Sequence, residues 1–140
     1  MEFSSIIASG LGLPDVAGQI LLAMILFMTK HLIADFYLQT TYQVLNKGTY
    51  FHPGGILHSA IHVIGSAPII FYIFAPASSL LILLLVAEFI IHYHLDWCKE
   101  RIVHNKKWTT QHTSFWIALG TDQFLHQITY VLMIVILIAK

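Results

Sequence analysis

Four pairs of metal-ligating side chains recur at one interval: His31 and Asp35, His58 and His62, His92 and Asp96, Asp122 and His126. Residues four apart on a helix stand one above the other, so each pair offers two ligands on one helix face. Imidazole and carboxylate suit zinc, which takes about four ligands per ion. Five histidines and three aspartates are too many for one zinc and about right for two, with bridging carboxylates or water filling any remainder. Di-iron carboxylate bundles use Glu-x-x-His pairs, and the chain has none. The expected cofactor is therefore two or more Zn2+ ions, or another divalent ion used without redox change.

The stretches that must position these pairs are apolar. Of 140 residues, 57% are hydrophobic and 10% charged, with a mean hydropathy of +0.75; soluble domains are about a quarter charged. A spanning helix needs roughly 20 mostly apolar residues, and segments near 16–38, 54–74, 78–103 and 114–139 meet that need. Pro14-Asp15 opens the first and Pro76 closes the second. The link Ala75-Pro76-Ala77 leaves room only for a tight turn, which makes the second and third helices an antiparallel hairpin. The predicted fold is all-α, a single transmembrane domain over residues 1–140 built as a four-helix up-down bundle. Met1 to Leu13 could form a short interfacial segment; it lacks the basic region of a cleaved signal peptide.

In such a bundle the C-terminal ends of helices one and three lie beside the N-terminal ends of two and four. The pairs occupy those ends, so all eight residues should meet at one level. One polar residue in a membrane helix is explained by a hydrogen bond to a neighbouring helix. Four pairs of one spacing and depth argue instead for a functional site. Glu88, a turn deeper than His92, is expected to accept a histidine N–H, with general base or further ligand as its other roles. Lys99 and Arg101 stand at the mouth, placed either to hold an anionic head group or simply as loop charges. Gln39 and Gln123 adjoin the site. His94 lies about 200° around the helix from His92 and is expected to be structural or interfacial. His52, His104 and His112 fall in connections, and Tyr93, Trp97, Trp108 and Trp116 fit an aromatic belt.

Lys47, Lys99, Arg101, Lys106 and Lys107 flank the connections on the site's side, against Lys140 on the other. The positive-inside rule places the site toward the cytoplasm and both termini outside. A formal net charge of zero gives no reason to expect nucleic acid as a partner. The single cysteine, Cys98, excludes an internal disulfide framework and a Cys-based zinc site. Membrane lipid is the expected partner, and the oligomeric state is left open.

A two-metal site suits hydrolysis of a phosphate ester. The set His31-x3-Asp35-Phe36-x2-Gln39, His58-x3-His62, Glu88-x3-His92-x3-Asp96-x2-Lys99 and Asp122-Gln123-x2-His126 resembles a family of small bacterial membrane proteins of unknown function, over most of the chain. That resemblance implies the bacterial inner membrane. More distantly, repeated His-x3-Asp pairs on bundled helices resemble membrane-bound metal-dependent hydrolases and the zinc-dependent phospholipase C and single-strand nuclease group. The resemblance implies phosphodiester or phospholipid hydrolysis; Glu88 and Lys99, by their places beside the pairs, are the candidate catalytic residues. The chain lacks the long soluble helices and N-terminal ligand of the phospholipase group. The alternative is a zinc-binding or transport protein without hydrolytic activity, since His-x3-Asp also resembles the zinc site of cation-diffusion facilitators. Transporters, however, place their site near the midplane between repeats, and no repeat is evident. A lipid hydroxylase would need paired His-His boxes, which are absent.

Overall fold

A computed structural model describes residues 3–139; Met1, Glu2 and Lys140, the last being the only basic residue expected on the far side, lie outside them. The described chain is helical: α1 (Phe3–Gly10), α2 (Asp15–Leu32) with a π turn (Ile33–Tyr37), α3 (Thr41–Asn46), α4 (Pro53–Phe74), α5 (Ser78–Lys106) and α6 (Thr113–Ile138). In lipid, a helix satisfies its backbone polar groups within its own segment. Four of these helices, with α2 counted through its π turn, are long and apolar enough to cross a membrane.

Their ends follow local chemistry. Pro53 opens α4 where a missing N–H costs nothing, and Ala75 closes it at φ 42° before Pro76. Thr40 and Gln43 form a capping box on α3, the Thr40 N–H donating to Gln43 Oε1 at 2.6 Å. The π turn is marked by the Leu38 N–H donating to Ile33 O, five residues back, at 2.9 Å. Gly18 is buried where α1 crosses α2, and a Cβ there would stand 2.8 Å from the Ala8 Cβ.

The long helices close a ring in which α2 packs on α4, α4 on α5, α5 on α6 and α6 on α2. One half of the interior is apolar, built from Phe27, Ile70, Leu84, Met133, Ile134 and Leu137. The other half holds buried His, Asp, Lys and Gln side chains. Large apolar side chains such as Ile64, Tyr72, Leu83 and Ile117 face outward, as expected where lipid is the solvent.

Three expectations change. Helix α5 continues to Lys106, so His104 is helical rather than part of a connection. At 29 residues the helix is about 43 Å long, longer than a ~30 Å hydrocarbon core, so its polar last turns can lie beyond the lipid. Tyr93 is buried, not in an aromatic belt, because its hydroxyl receives the N–H of Phe51, a residue held at φ 58°. Met1 to Leu13 contains a helix, α1, that packs against α2.

Candidate metal centre

His31 ends α2, and Asp35 lies in the π turn that follows. His58 and His62 stand on the first half of α4, His92 and Asp96 on the second half of α5, and Asp122 and His126 on the first half of α6. Seven of these eight residues are buried, and the Asp35 side chain is only 10% exposed. The eight converge. Ring centroids are 3.8 Å apart for His62 and His92, 4.2 Å for His92 and His126, and 5.1 Å for His31 and His62.

Two sets of ligand atoms gather closely, Asp35 with His58, His62 and His92, and His92 with Asp96 and His126, each within 4.8 Å of one another. Around Asp35 Oδ1, His62 Nε2 lies at 3.0 Å and His58 Nε2 at 3.3 Å. His58 Nε2 also lies 3.1 Å from Asp96 Oδ2. Ligands at 2.0–2.1 Å around a tetrahedral zinc are roughly 3.3 Å apart, so these separations suit a shared ion as well as the hydrogen bond that joins His62 to Asp35.

Hydrogen bonding assigns several of the ring nitrogens. His126 Nδ1 lies 2.8 Å from the Asp122 carbonyl oxygen, to which it donates, leaving its lone pair on Nε2. That Nε2 is buried without a partner, as are both ring nitrogens of His92 and Asp122 Oδ1. His31 is different. The Lys30 ammonium donates to the Tyr130 hydroxyl oxygen at 3.0 Å, and the Tyr130 hydroxyl in turn faces His31 Nδ1 at 2.9 Å. With Tyr130 donating to Nδ1, the His31 proton sits on Nε2, 3.2 Å from Asp35 Oδ2 and 3.0 Å from Gln123 Oε1. In this arrangement His31 orients Asp35 rather than offering it a free lone pair.

The surroundings differ from expectation in instructive ways. Glu88 accepts from Lys30 at 2.9 Å and from the Ser66 hydroxyl at 2.7 Å, and among the described residues no histidine donates to it. The Lys30 stem passes over Gly65, where a Cβ would stand 2.7 Å from Lys30 Cγ. Gln123 donates to Asp35 Oδ2 at 3.1 Å, and Gln39 Nε2 lies 3.2 Å from His58. Lys47 is buried and donates to Asp96 Oδ2 at 3.4 Å. Lys99 pairs with Glu100, whereas Arg101 turns to a separate hollow with Thr49 and His104. His94 is exposed, with Nδ1 on the Ile90 carbonyl at 2.7 Å. His52 and His112 serve local turns by accepting from Gly54 N and Thr109 N.

Sequence reasoning missed Lys30, Ser66 and Tyr130, and took Lys47 only as an orienting charge. Lys30 carried a signal of its own, a cation inside an apolar run next to His31.

A polar cavity of about 160 Å³ opens beside the cluster, lined among others by Asp35, Gln39, Lys47, Lys99, Asp122 and Gln123. Cations and carboxylates thus share one space with the metal-ligating groups.

A family model described as a protein of unknown function (DUF3307) matches residues 22–140. No curated protein and no solved structure matches the chain.

Proposed function

This chain belongs to the DUF3307 family of proteins of unknown function, and from that premise we propose that it is a membrane-embedded, metal-dependent phosphoester hydrolase. The first ion would be held by Asp35, His58 and His62, the second by His92, Asp96 and His126. Three protein ligands with a fourth position open is the pattern of catalytic rather than structural zinc. The carrying observation is the pair of partnerless buried atoms His92 Nε2 and His126 Nε2, both in the second ligand set. Each such atom costs about 1–3 kcal/mol when left unsatisfied, and a network of interhelical hydrogen bonds would have paired them. A divalent cation satisfies lone pairs of this kind.

Bound divalent ions supply Lewis acidity toward a phosphoryl oxygen and a nucleophile near neutral pH. The chain's own groups do the rest. Lys47 and Lys99 line the polar cavity, where an anionic substrate would share them with Asp96 and Glu100. Asp122 lines it too, beside Lys99. In the overall reaction one P–O ester bond breaks, and water supplies the new P–OH and the proton of the released alcohol. Glu88 is held by Lys30 and Ser66 away from this cavity, so its role here is to anchor Lys30 beneath Tyr130. The basic residues on the centre's side, Lys47 and Lys99 to Lys107, support a cytoplasmic orientation through the positive-inside rule.

Elemental analysis of gently purified protein should find about two divalent ions per chain; less than about one, with no rebinding of added zinc, overturns the proposal. Chelator should destabilise the fold, and zinc at 100 times its Kd should restore about 2.7 kcal/mol. Assays of phosphodiester turnover and of zinc flux in liposomes separate the chemistries, since flux without turnover would establish the transport alternative. Tyr130→Phe removes the partner of His31 Nδ1, and because His31 acts through Asp35 it should weaken zinc affinity by less than the about 10–100-fold expected for losing a ligand's direct partner, read by competition with a chromophoric chelator. An unchanged affinity would remove Tyr130 from the account.

A further inference from the structure

The polar cavity does not stand alone. Lys99 and Asp122 also belong to a second cleft, about 360 Å³, that runs between α5 and α6. Its other walls are apolar, with Leu95 and Ile102 on one helix and Ile117 and Leu125 on the other. Ile117 is 64% exposed, so the cleft opens sideways toward the surroundings of the bundle. Its volume lies within the range of small-molecule sites. A hollow of similar size between α2 and α4 touches no carboxylate of the cluster. The α5–α6 cleft is therefore distinguished by what it joins, an apolar trough ending at Asp122 and at Lys99, whose ammonium pairs with Glu100.

We propose that this cleft holds the hydrocarbon chain of an anionic amphiphile, whose phosphate head enters the polar cavity beside Lys99. The substrate class is then a lipid phosphoester, approached from the membrane plane rather than from water. This rests on the metal-centre reading above. Two dications with Lys47 and Lys99, against the carboxylates of Asp35, Asp96, Glu100 and Asp122, leave the site positive, so it favours an anionic head.

Cys98 is exposed, lines the cleft and is the single cysteine, which makes it a reporter. Its alkylation by N-ethylmaleimide is measured in zinc-loaded protein in neutral maltoside micelles. Dodecyl phosphate should slow the reaction about tenfold at ten times its half-saturating level. Inorganic phosphate and dodecyltrimethylammonium should give no protection. Lys99→Gln should remove protection by selecting against the head group, and Ala118→Phe should remove it by filling the trough. Equal protection by the cationic amphiphile would mean micelle partitioning and overturn the proposal. Zinc content and hydrolysis of bis(p-nitrophenyl) phosphate are read on the same wild-type samples. If both are present while dodecyl phosphate fails to protect, the cleft assignment falls and the metal centre stands. If protection occurs without metal or turnover, the cleft stands as a lipid site and the hydrolase reading falls.

Discussion

Purified His92→Ala protein should carry fewer than one divalent ion per chain where the natural chain carries about two. His92 is the residue common to both ligand sets. It is 2% exposed and sits between His62 and His126, so no solvent or neighbouring side chain can replace it. Its loss removes a ligand from the second ion and uncovers the flank of the first. Phosphodiester turnover should fall with the metal. His94→Ala, two residues along the same helix, should change neither quantity, because His94 is exposed and bonded to its own helix. The contrast controls for general damage to α5. Full metal content in His92→Ala would show that the clustered histidines are held together by something other than an ion. Asp96→Ala is a less clean test, since it also leaves the buried Lys47 ammonium without its carboxylate.

Lys30→Met should be strongly destabilising, comparable to truncating a core aromatic such as Phe27. Its ammonium is 2.9 Å from Glu88 Oε1, with side chains 10% and 1% exposed. Removing one partner of a buried ion pair costs about 3–5 kcal/mol, because the remaining charge is left uncompensated, whereas removing both charges is close to neutral. Glu88→Gln added to Lys30→Met should therefore recover most of the loss, keeping the hydrogen bond from Ser66. Denaturant unfolding in mixed micelles reads both variants. If the double variant is as unstable as Lys30→Met, the pair is not what the cation was stabilising. A separate deficit in zinc affinity is expected in both, since either one leaves Tyr130 without the Lys30 hydrogen bond.

The residues that could be read from sequence share a property: their neighbours lie four positions away or at a common depth. Thus His58 pointed to His62, and Asp122 to His126, and the prolines at 14 and 76 marked where helices begin and end. Lys30 and Glu88 are 58 residues apart, and nothing local pairs them. Tyr130 looks like any aromatic on an apolar helix until α2 is packed against α6, when its hydroxyl falls between Lys30 and His31. The end of α5 was hidden for the opposite reason. RIVHNK lacks the apolar character by which a spanning segment is recognised, yet helices do not stop where lipid does. The division of labour among the five clustered histidines was also out of reach, because it depends on which ring nitrogen is already engaged.

The π turn between Ile33 and Tyr37 makes residue count itself a structural quantity. Each helical residue turns the chain about 100°. A deletion between His31 and Asp35 would swing the carboxylate out of line with His58 and His62. A deletion between Asp35 and Gln39 would keep the carboxylate but draw the amide away from His58. The segment is open to exchange of its outward-facing side chains and closed to any change of length. Among family members that share the centre, alignment gaps will fall on either side of these residues and never within them.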